Sequence, residues 1–339
     1  MKVKISDITD KMTSALKAKG YSDDDIPFLV EMYLGGELRG HTSHGLASFP
    51  GFAKDDFSDL PEPVVIEETH SVFIIDAKSN PGALVGKRAA DEAIARAKNE
   101  VVGTAIIKNM DSWLRPGAVA QYVANQGFFA IVINDGGGAS IAPPGGYDPV
   151  LATNPIAYGI PTAHEPLVVD MATSKRAWGQ VRLANKYGTD LPPHTFYDDQ
   201  GNVTLDPKKA WSVMPFGEHK GFALALMVEV LCGSLVGMDN MMVDTNQAGS
   251  NFGVRLQDRG GFILVIDPSQ TGDSTPFEQA NTELIDRIKA THTLKGQKIR
   301  IPGEEAGEAQ QTSIKNGELD IPDELWEENK LPTTLRSGY

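Results

Sequence analysis

The chain has 339 residues, 41% hydrophobic and 22% charged, and its 45 acidic against 31 basic side chains give a formal net charge of -14. That length builds a large core, with two domains as the natural expectation, while the negative charge works against nucleic acid and anionic membrane as partners. One cysteine, Cys232, excludes a disulfide framework and a cysteine-based zinc site. The opening residues, MKVKISDITDKMTS, lack the apolar run of a signal peptide, and no eighteen-residue uninterrupted apolar span occurs, so a cytoplasmic protein is expected.

Ser6 is placed to cap a first helix with Ile8, Met12, Ala15 and Leu16 on one face, ending at Gly20. Ser22, with Asp25 three residues on, opens a second through Ile26, Leu29, Val30, Tyr33 and Leu34. A turn at Gly35-Gly36 then leads to a polar segment, Arg39-Gly40-His41-Thr42-Ser43-His44-Gly45-Leu46, and residues 54 to 70 read as a connection. From Ser71 the period changes. Val72 to Ile75 is a strand, 83 to 99 an Ala-rich helix, Val101 to Ile107 a strand, 116 to 126 a helix and Phe128 to Ile133 a strand. Gly/Pro loops follow (Gly136 to Gly138, Pro143 to Gly146), then Thr153-Asn154-Pro155 and a strand from Leu167 to Asp170. This alternation is α/β.

Pro215 and Gly217 turn the chain into Gly217-Glu218-His219-Lys220-Gly221, and the residues from Phe222 to Leu235 are apolar on every side, the pattern of a helix buried all round. His219 and Lys220 stand at its N-terminus, where free backbone N–H groups and the positive end of the helix dipole favour an anion. The same residues also suit a core helix with a snorkelling Lys. Gly261 to Asp267 is a further strand stopped by Pro268, 276 to 291 an amphipathic helix, and the chain closes through Arg300-Ile301-Pro302-Gly303-Glu304 into an acidic tail of low order.

Several motifs fail. Gly136 to Gly138 follows a strand, but Pro143-Pro144 forbids an immediate helix, so the Rossmann fingerprint is missing. Gly82 to Lys87 is one residue short of a phosphate loop and has Arg88 in place of the magnesium-binding Ser or Thr, which leaves an ordinary helix start. His41 and His44 lack a third metal ligand, and Ser43-His44 lacks a nucleophile elbow. No metal is expected. His44 does suit proton transfer, since an imidazole gives and takes a proton near neutral pH; a surface loop histidine is the plain alternative.

Seven collinear stretches resemble the malate/L-lactate dehydrogenase family of non-Rossmann NAD(P)-dependent oxidoreductases: Ser43-His44-Gly45, Pro143 to Gly146, Thr153 to Ala157, Val169 to Ser174, Gly217 to Gly221, Gly261 to Pro268 and Pro302-Gly303-Glu304. The family includes type 2 malate, sulfolactate and ureidoglycolate dehydrogenases, diketogulonate reductase and cyclic-imine carboxylate reductases. The resemblance implies a mixed α/β (α+β), L-sulfolactate dehydrogenase-like fold. Its helical domain is discontinuous, residues 1–68 joined by later segments, beside an α/β cofactor-binding domain over 69–270, with 271–339 packing back on both. A homodimer with the cofactor cleft between domains is implied as well.

The resemblance further implies hydride transfer between NAD or NADP and C2 of a small 2-hydroxy or 2-oxo acid or a related cyclic imine. His44 would be the acid/base, with Ser43 at the reacting carbon. Cofactor contacts would come from Thr153, Asn154, Asp170, Met171, Ala172, Thr173, His219, Lys220, Gly221, Pro302, Gly303 and Glu304. A Lys at a helix N-terminus suits a pyrophosphate. Asp170 suits a ribose or a protonated partner, or simply caps the next turn.

Two positions depart from the family. Ser48 stands where members commonly carry an Arg that grips a substrate carboxylate, and Ser112 where many carry a second His. Arg115 and Arg39 are candidate replacement cations, with a solvated surface Arg as the alternative reading of each, and Trp113 offers a flat wall for a ring or imine, or a core or dimer contact. Loss of the usual residues also allows a cofactor-binding sensor or partner subunit without turnover. Lys175 and Arg176 are the candidates for a 2′-phosphate, or a solvated basic pair.

Overall fold

The structure, a computed structural model, describes residues 1–54, 60–111, 115–237, 259–272, 274–323 and 326; Ser112, Trp113 and the side chain of Ser43 lie outside the described residues. The chain forms two compact units, Met1–Leu60 with Glu283–Tyr339, and Pro61–Thr282.

The first unit begins with β1 (Lys2–Lys4), α1 (Ile5–Ala18), α2 (Ile26–Leu38), a 3-10 turn at Thr42–His44 and α3 (Phe49–Lys54). In α1, Ile8, Met12 and Leu16 repeat every fourth residue and are buried together. Lys4, not Ser6, is the N-cap; Ser6 lies inside the first turn. Ser22 does not open α2 either: the N-cap is Asp25, without a side-chain cap bond, and Ser22 lies ahead of it, its Oγ accepting from Asp25 N at 3.1 Å and donating to the Asp25 carboxylate at 2.7 Å. The turn expected at Gly35-Gly36 is absent, because α2 runs through both glycines to Leu38. Gly35 is small there for packing: a Cβ would strike the Glu31 carboxylate and the Arg39 guanidinium.

The second unit holds β2 (Val64–Glu68), β3 (Val72–Asp76), α4 (Gly82–Glu100), β4 (Val102–Met110), α5 (Pro116–Ala124), β5 (Phe129–Asn134), β6 (Ile156–Ile160), β7 (Leu167–Met171), α6 (Gly179–Tyr187), β8 (Phe196–Tyr197), β9 (Val203–Thr204), β10 (Ser212–Val213), α7 (His219–Cys232), β11 (Arg259–Ile266) and α8 (Pro268–Thr271). Then α9 (Ser274–Lys289) carries the chain back to the first unit, which closes with α10 (Glu304–Asn316) and β12 (Glu318–Asp320), the latter antiparallel to β1. The tail expected to be of low order therefore contains a helix over 304–316. Gly303, at φ 81°, opens it, and Glu304 and Glu305 in its first turn suit the dipole.

The seven-stranded sheet has the order β2-β3-β4-β11-β5-β6-β7. Periodicity finds β3, α4, β4, α5, β5 and, over Gly261 to Asp267, a further strand, but not that this last strand lies between β4 and β5. That strand is β11, which arrives late in the chain and pairs antiparallel with both, Ile263 lying between Ala105 and Val132. Only β3 and β4 pair in parallel; every other neighbour in this mixed sheet is antiparallel. Strand alternation assigns the two faces. Gly103 and Gly159 lie under the carbonyls of Ala93 in α4 and Ala120 in α5, whereas Ile133, Ile156 and the half-buried Phe262 pack with Val228 and Cys232 of α7 on the opposite face. A second core joins Trp178, Phe196, Val213, Leu191 and Ala225 beneath the small sheet β10-β8-β9.

Helix α7 is not buried all round. Gly221, Ala225, Val228, Glu229 and Cys232 face inward, but Leu226, Met227 and Val230 are 42–45% exposed. Its uniform apolar composition hides which side meets the sheet, and only packing reveals it. The segment His219–Val236 is, among the described residues, the one long and apolar enough to cross a bilayer, yet a third of it is buried within the protein.

A bulky residue at Gly103 has no room, since even a Cβ would overlap the Ala93 carbonyl. Gly103→Val is expected to cost about 1–3 kcal/mol, seen as a lowered urea midpoint; an unchanged midpoint would refute the close α4–β4 packing.

Candidate functional site

In the sheet unit, four segments are tied together at Asn154. This residue is fully buried at φ 33°, a backbone conformation sparsely populated outside glycine and one that surrounding bonds must hold. Its Nδ2 donates to the Ala225 carbonyl at 2.9 Å and to Glu229 Oε2 at 2.8 Å, both on α7. Its Oδ1 accepts from Gly136 N at 3.1 Å, in the loop after β5. Its own carbonyl, and that of Thr153 at 2.9 Å, accept from the buried Thr173 hydroxyl. The Thr173 carbonyl in turn accepts from Phe216 N at 3.0 Å, just before α7. Of the expected cofactor contacts, Asn154, Thr173 and Gly221 thus face inward and set loop geometry; Thr153 and Ala172 are half-buried and Met171 exposed.

The same bonds aim the start of α7. Gly217 and Glu218 both take positive φ, 52° and 57°, and the turn delivers His219 and Lys220 to solvent. Backbone N–H groups expected to be free are partly engaged: Lys220 N donates to the Gly217 carbonyl at 3.2 Å and Gly221 N to that of Phe216 at 3.0 Å. The positive character of this end therefore comes from the exposed Lys220 ammonium and the helix dipole more than from those two amides. Gly221 admits no side chain, because a Cβ would overlap the Phe216 carbonyl.

Asp170, one residue before the end of β7, accepts from Gly117 N at 3.1 Å, so it caps α5 rather than the turn that follows the strand. Burial raises its carboxyl above the usual range, opposed by the nearby Arg115 guanidinium and the Gly117 N–H. Arg115 is itself buried beside Asp170, not a solvated surface cation.

Two acids that sequence patterns did not single out complete this region. Asp135 and Glu229 are 6% and 5% exposed. Burial, then the proximity of Asp135, pushes the Glu229 carboxyl up to about 7, with the Asn154 amide opposing. Burial likewise raises Asp135, against the Gly137 N–H and Arg259. A signal existed for Glu229: one carboxylate inside an otherwise apolar helix needs a buried partner.

In the helical unit, His44 ends the 3-10 turn, half-buried, its N–H donating to the His41 carbonyl at 2.9 Å. Glu37 of α2, also unanticipated, accepts from Leu46 N at 3.0 Å and so fixes the segment beyond His44; burial raises its carboxyl, opposed by that N–H. Gly45 packs against the same carboxylate, with no room for a Cβ. Arg39 is neither solvated nor available as expected. Its side chain is 10% exposed, and the guanidinium donates to Glu31 at 2.8 Å and to the Gly35 carbonyl at 2.9 Å. Pro302 and Gly303 are exposed. Glu304 bonds Lys289 at 2.8 Å and Ile301 N at 2.9 Å, two contacts that hold its carboxyl below the usual range. Among the described residues no three His, Cys, Asp or Glu side chains gather as a metal site.

Residues 3–329 match the malate/L-lactate dehydrogenase family. The chain belongs to that family. It is an oxidoreductase. Among relatives, an L-sulfolactate dehydrogenase from Methanothermobacter thermautotrophicus is 30% identical over 85% of this chain and 84% of its own length. A Delta(1)-pyrroline-2-carboxylate/Delta(1)-piperideine-2-carboxylate reductase from Pseudomonas putida is 28% identical over 90% of this chain and 89% of its own. The solved sulfolactate dehydrogenase of Methanocaldococcus jannaschii superposes with a TM-score of 0.84 at 28% identity, covering 97% of this chain and 96% of that one. The sheet with its inserted antiparallel strand is thus the family's non-Rossmann fold.

Asn154→Ala removes the donor to Glu229 and Ala225 and the acceptor of Gly136 N. We expect a loss of about 3 kcal/mol, read from the denaturation midpoint; a loss within experimental error would show that Asn154 does not hold these segments together.

Proposed function

We propose that the chain moves a hydride between a nicotinamide cofactor, NAD or NADP, and C2 of a small 2-oxo or 2-hydroxy acid or a cyclic imine carboxylate. Family membership supports the reaction class, and the relatives include enzymes named for a hydroxy acid and for cyclic imines. The observation that carries the cofactor assignment is the exposed Lys220–His219 pair at the N-terminus of α7, held by the Asn154 bonds. The donor set fits a dinucleotide: an ammonium and the positive pole of a fourteen-residue helix for the diphosphate, and the Thr153 and Asp170–Ala172 segments beside it. When bound, the nicotinamide supplies or accepts the hydride.

The residues do the rest. His44 gives a proton to the oxygen or nitrogen on which charge develops and takes it back in reverse. Ser43 stands beside it in the chain, and Glu37 fixes the following backbone through Leu46 N. Pro302, Gly303 and Glu304 are assigned to the cofactor, Glu304 with its carboxylate already oriented by Lys289. Ser48, Arg39 bonded to Glu31 and Arg115 buried beside Asp170 leave no exposed guanidinium among the three positions considered for a substrate carboxylate. That observation favours a second reading, cofactor binding without the usual turnover.

One experiment separates the two. NADH and NADPH are titrated into the protein and turnover is followed at 340 nm with a panel of 2-oxo acids and cyclic imine carboxylates. We expect His44→Asn to lower kcat by roughly 100- to 10,000-fold with cofactor affinity kept, and Lys220→Met to weaken cofactor binding instead. Binding with no turnover on any compound would select the second reading, and no binding would refute both.

The protein is further read as a cytoplasmic homodimer with no membrane or nucleic-acid partner. The exposed apolar face of α7, Leu226, Met227 and Val230, supports a second copy packing there. Light scattering is expected to give twice the chain mass and Val230→Glu to halve it; a monomer at micromolar concentration would exclude the dimer.

A further inference from the structure

The basic pair Lys175-Arg176, which none of the roles above takes up, is divided by the fold. Thr173 to Lys175 runs alongside Met214 to Phe216: Lys175 N donates to the Met214 carbonyl at 2.8 Å, Ser174 and Pro215 form an antiparallel bridge, and Phe216 N donates to the Thr173 carbonyl at 3.0 Å. Lys175 is half-buried, and its ammonium donates to the His194 carbonyl at 2.9 Å. Arg176 is exposed. Its guanidinium donates to the adjacent Lys175 carbonyl at 3.4 Å, and among the described residues no carboxylate pairs with it. Its backbone is held, since the Ser174 hydroxyl donates to the Arg176 carbonyl at 2.7 Å.

The same pairing sets this segment beside the turn that presents His219 and Lys220. Across residues 171–176 and 214–221 the side chains of Lys175, Arg176, His219 and Lys220 face a single acid, Glu218. In a chain of net charge -14 that is a local reversal of sign. Asp170, the acid just before this stretch, is engaged with Gly117 N at 3.1 Å.

We propose that this chain takes NADP(H) in preference to NAD(H), and that Arg176 is the specificity-determining residue, its guanidinium holding the 2′-phosphate while Lys220 meets the diphosphate. The inference rests on the assignment of these segments to a nicotinamide cofactor. In NADP the 2′-phosphate and the diphosphate sit on the same adenosine ribose, so a protein that grips both needs two cations about one sugar apart. Arg176 and Lys220, on adjoining segments, meet that need. A phosphate monoester carries nearly two negative charges at neutral pH, and a guanidinium donates two parallel N–H groups to it. Selection of NAD instead calls for an acid that accepts from the 2′-hydroxyl. The acid at hand, Asp170, is turned to α5, and none follows it through Arg176.

The test is calorimetric titration of the full chain with NADPH, NADH, adenosine 2′,5′-bisphosphate and AMP, a readout independent of turnover. NADPH is expected to bind roughly tenfold to a hundredfold more tightly than NADH, and the bisphosphate to exceed AMP by a similar factor. Raising the salt concentration narrows both gaps. Arg176→Gln is expected to abolish both differences while NADH binding is kept, whereas Lys175→Gln retains them. Should Arg176→Gln fail to fold, the bisphosphate and AMP affinities of the unsubstituted protein decide the matter. Equal or tighter binding of NADH, discrimination that survives Arg176→Gln, or discrimination lost in Lys175→Gln alone overturns the proposal and leaves the cofactor assignment standing. No binding of any of the four overturns that assignment and the proposal with it.

Discussion

The sheet unit depends on one side-chain amide. Asn154 uses both Nδ2 protons on α7 and its Oδ1 on the loop after β5, while its carbonyl receives the Thr173 hydroxyl. The partners come from α7, the loop after β5 and the segment after β7, so a single buried residue fixes segments far apart in sequence. Such a network is stable only when every member is satisfied, since a buried polar group left unpaired costs the desolvation it cannot recover. The positive φ of Asn154 is held by the same bonds.

This arrangement explains how a non-Rossmann sheet aims the N-terminus of α7 without a glycine-rich fingerprint. In the usual dinucleotide fold the first strand leads straight into the phosphate-binding helix. Here α7 enters from a turn after β10, and its direction is set laterally, by Asn154 and by the Phe216–Thr173 bond. The cost is a carboxylate pair, Glu229 and Asp135, kept out of water inside the same network. The helical unit uses a simpler device: Glu37 receives the Leu46 N–H, and Gly45 fits between them because it has no side chain.

The family was legible in the residues because its motifs set particular residue types at particular spacing. Ser43-His44-Gly45, Thr153-Asn154-Pro155 and Gly217 to Gly221 pointed to the oxidoreductase family that the whole-chain comparison then showed. What was not legible was which of those residues present atoms outward. Asn154 and Thr173 read as contacts and prove to be internal ties; Arg39 read as a cation and is engaged by Glu31. Glu229 carried a signal, a lone acid in an apolar run, whereas Asp135 and Glu37 had none, since an acid in a loop or helix surface is ordinary until its burial is known.

Local pattern determined β3, β4, β5, α4 and the absence of a Rossmann loop, because period and loop chemistry act over a few residues. Tertiary structure alone decided that β11 separates β4 from β5, that Gly35-Gly36 lies within α2, that one face of α7 stays exposed and that 304–316 is helical. Each of those outcomes turns on which surface arrives opposite, and a surface distant in sequence leaves no mark on the local period.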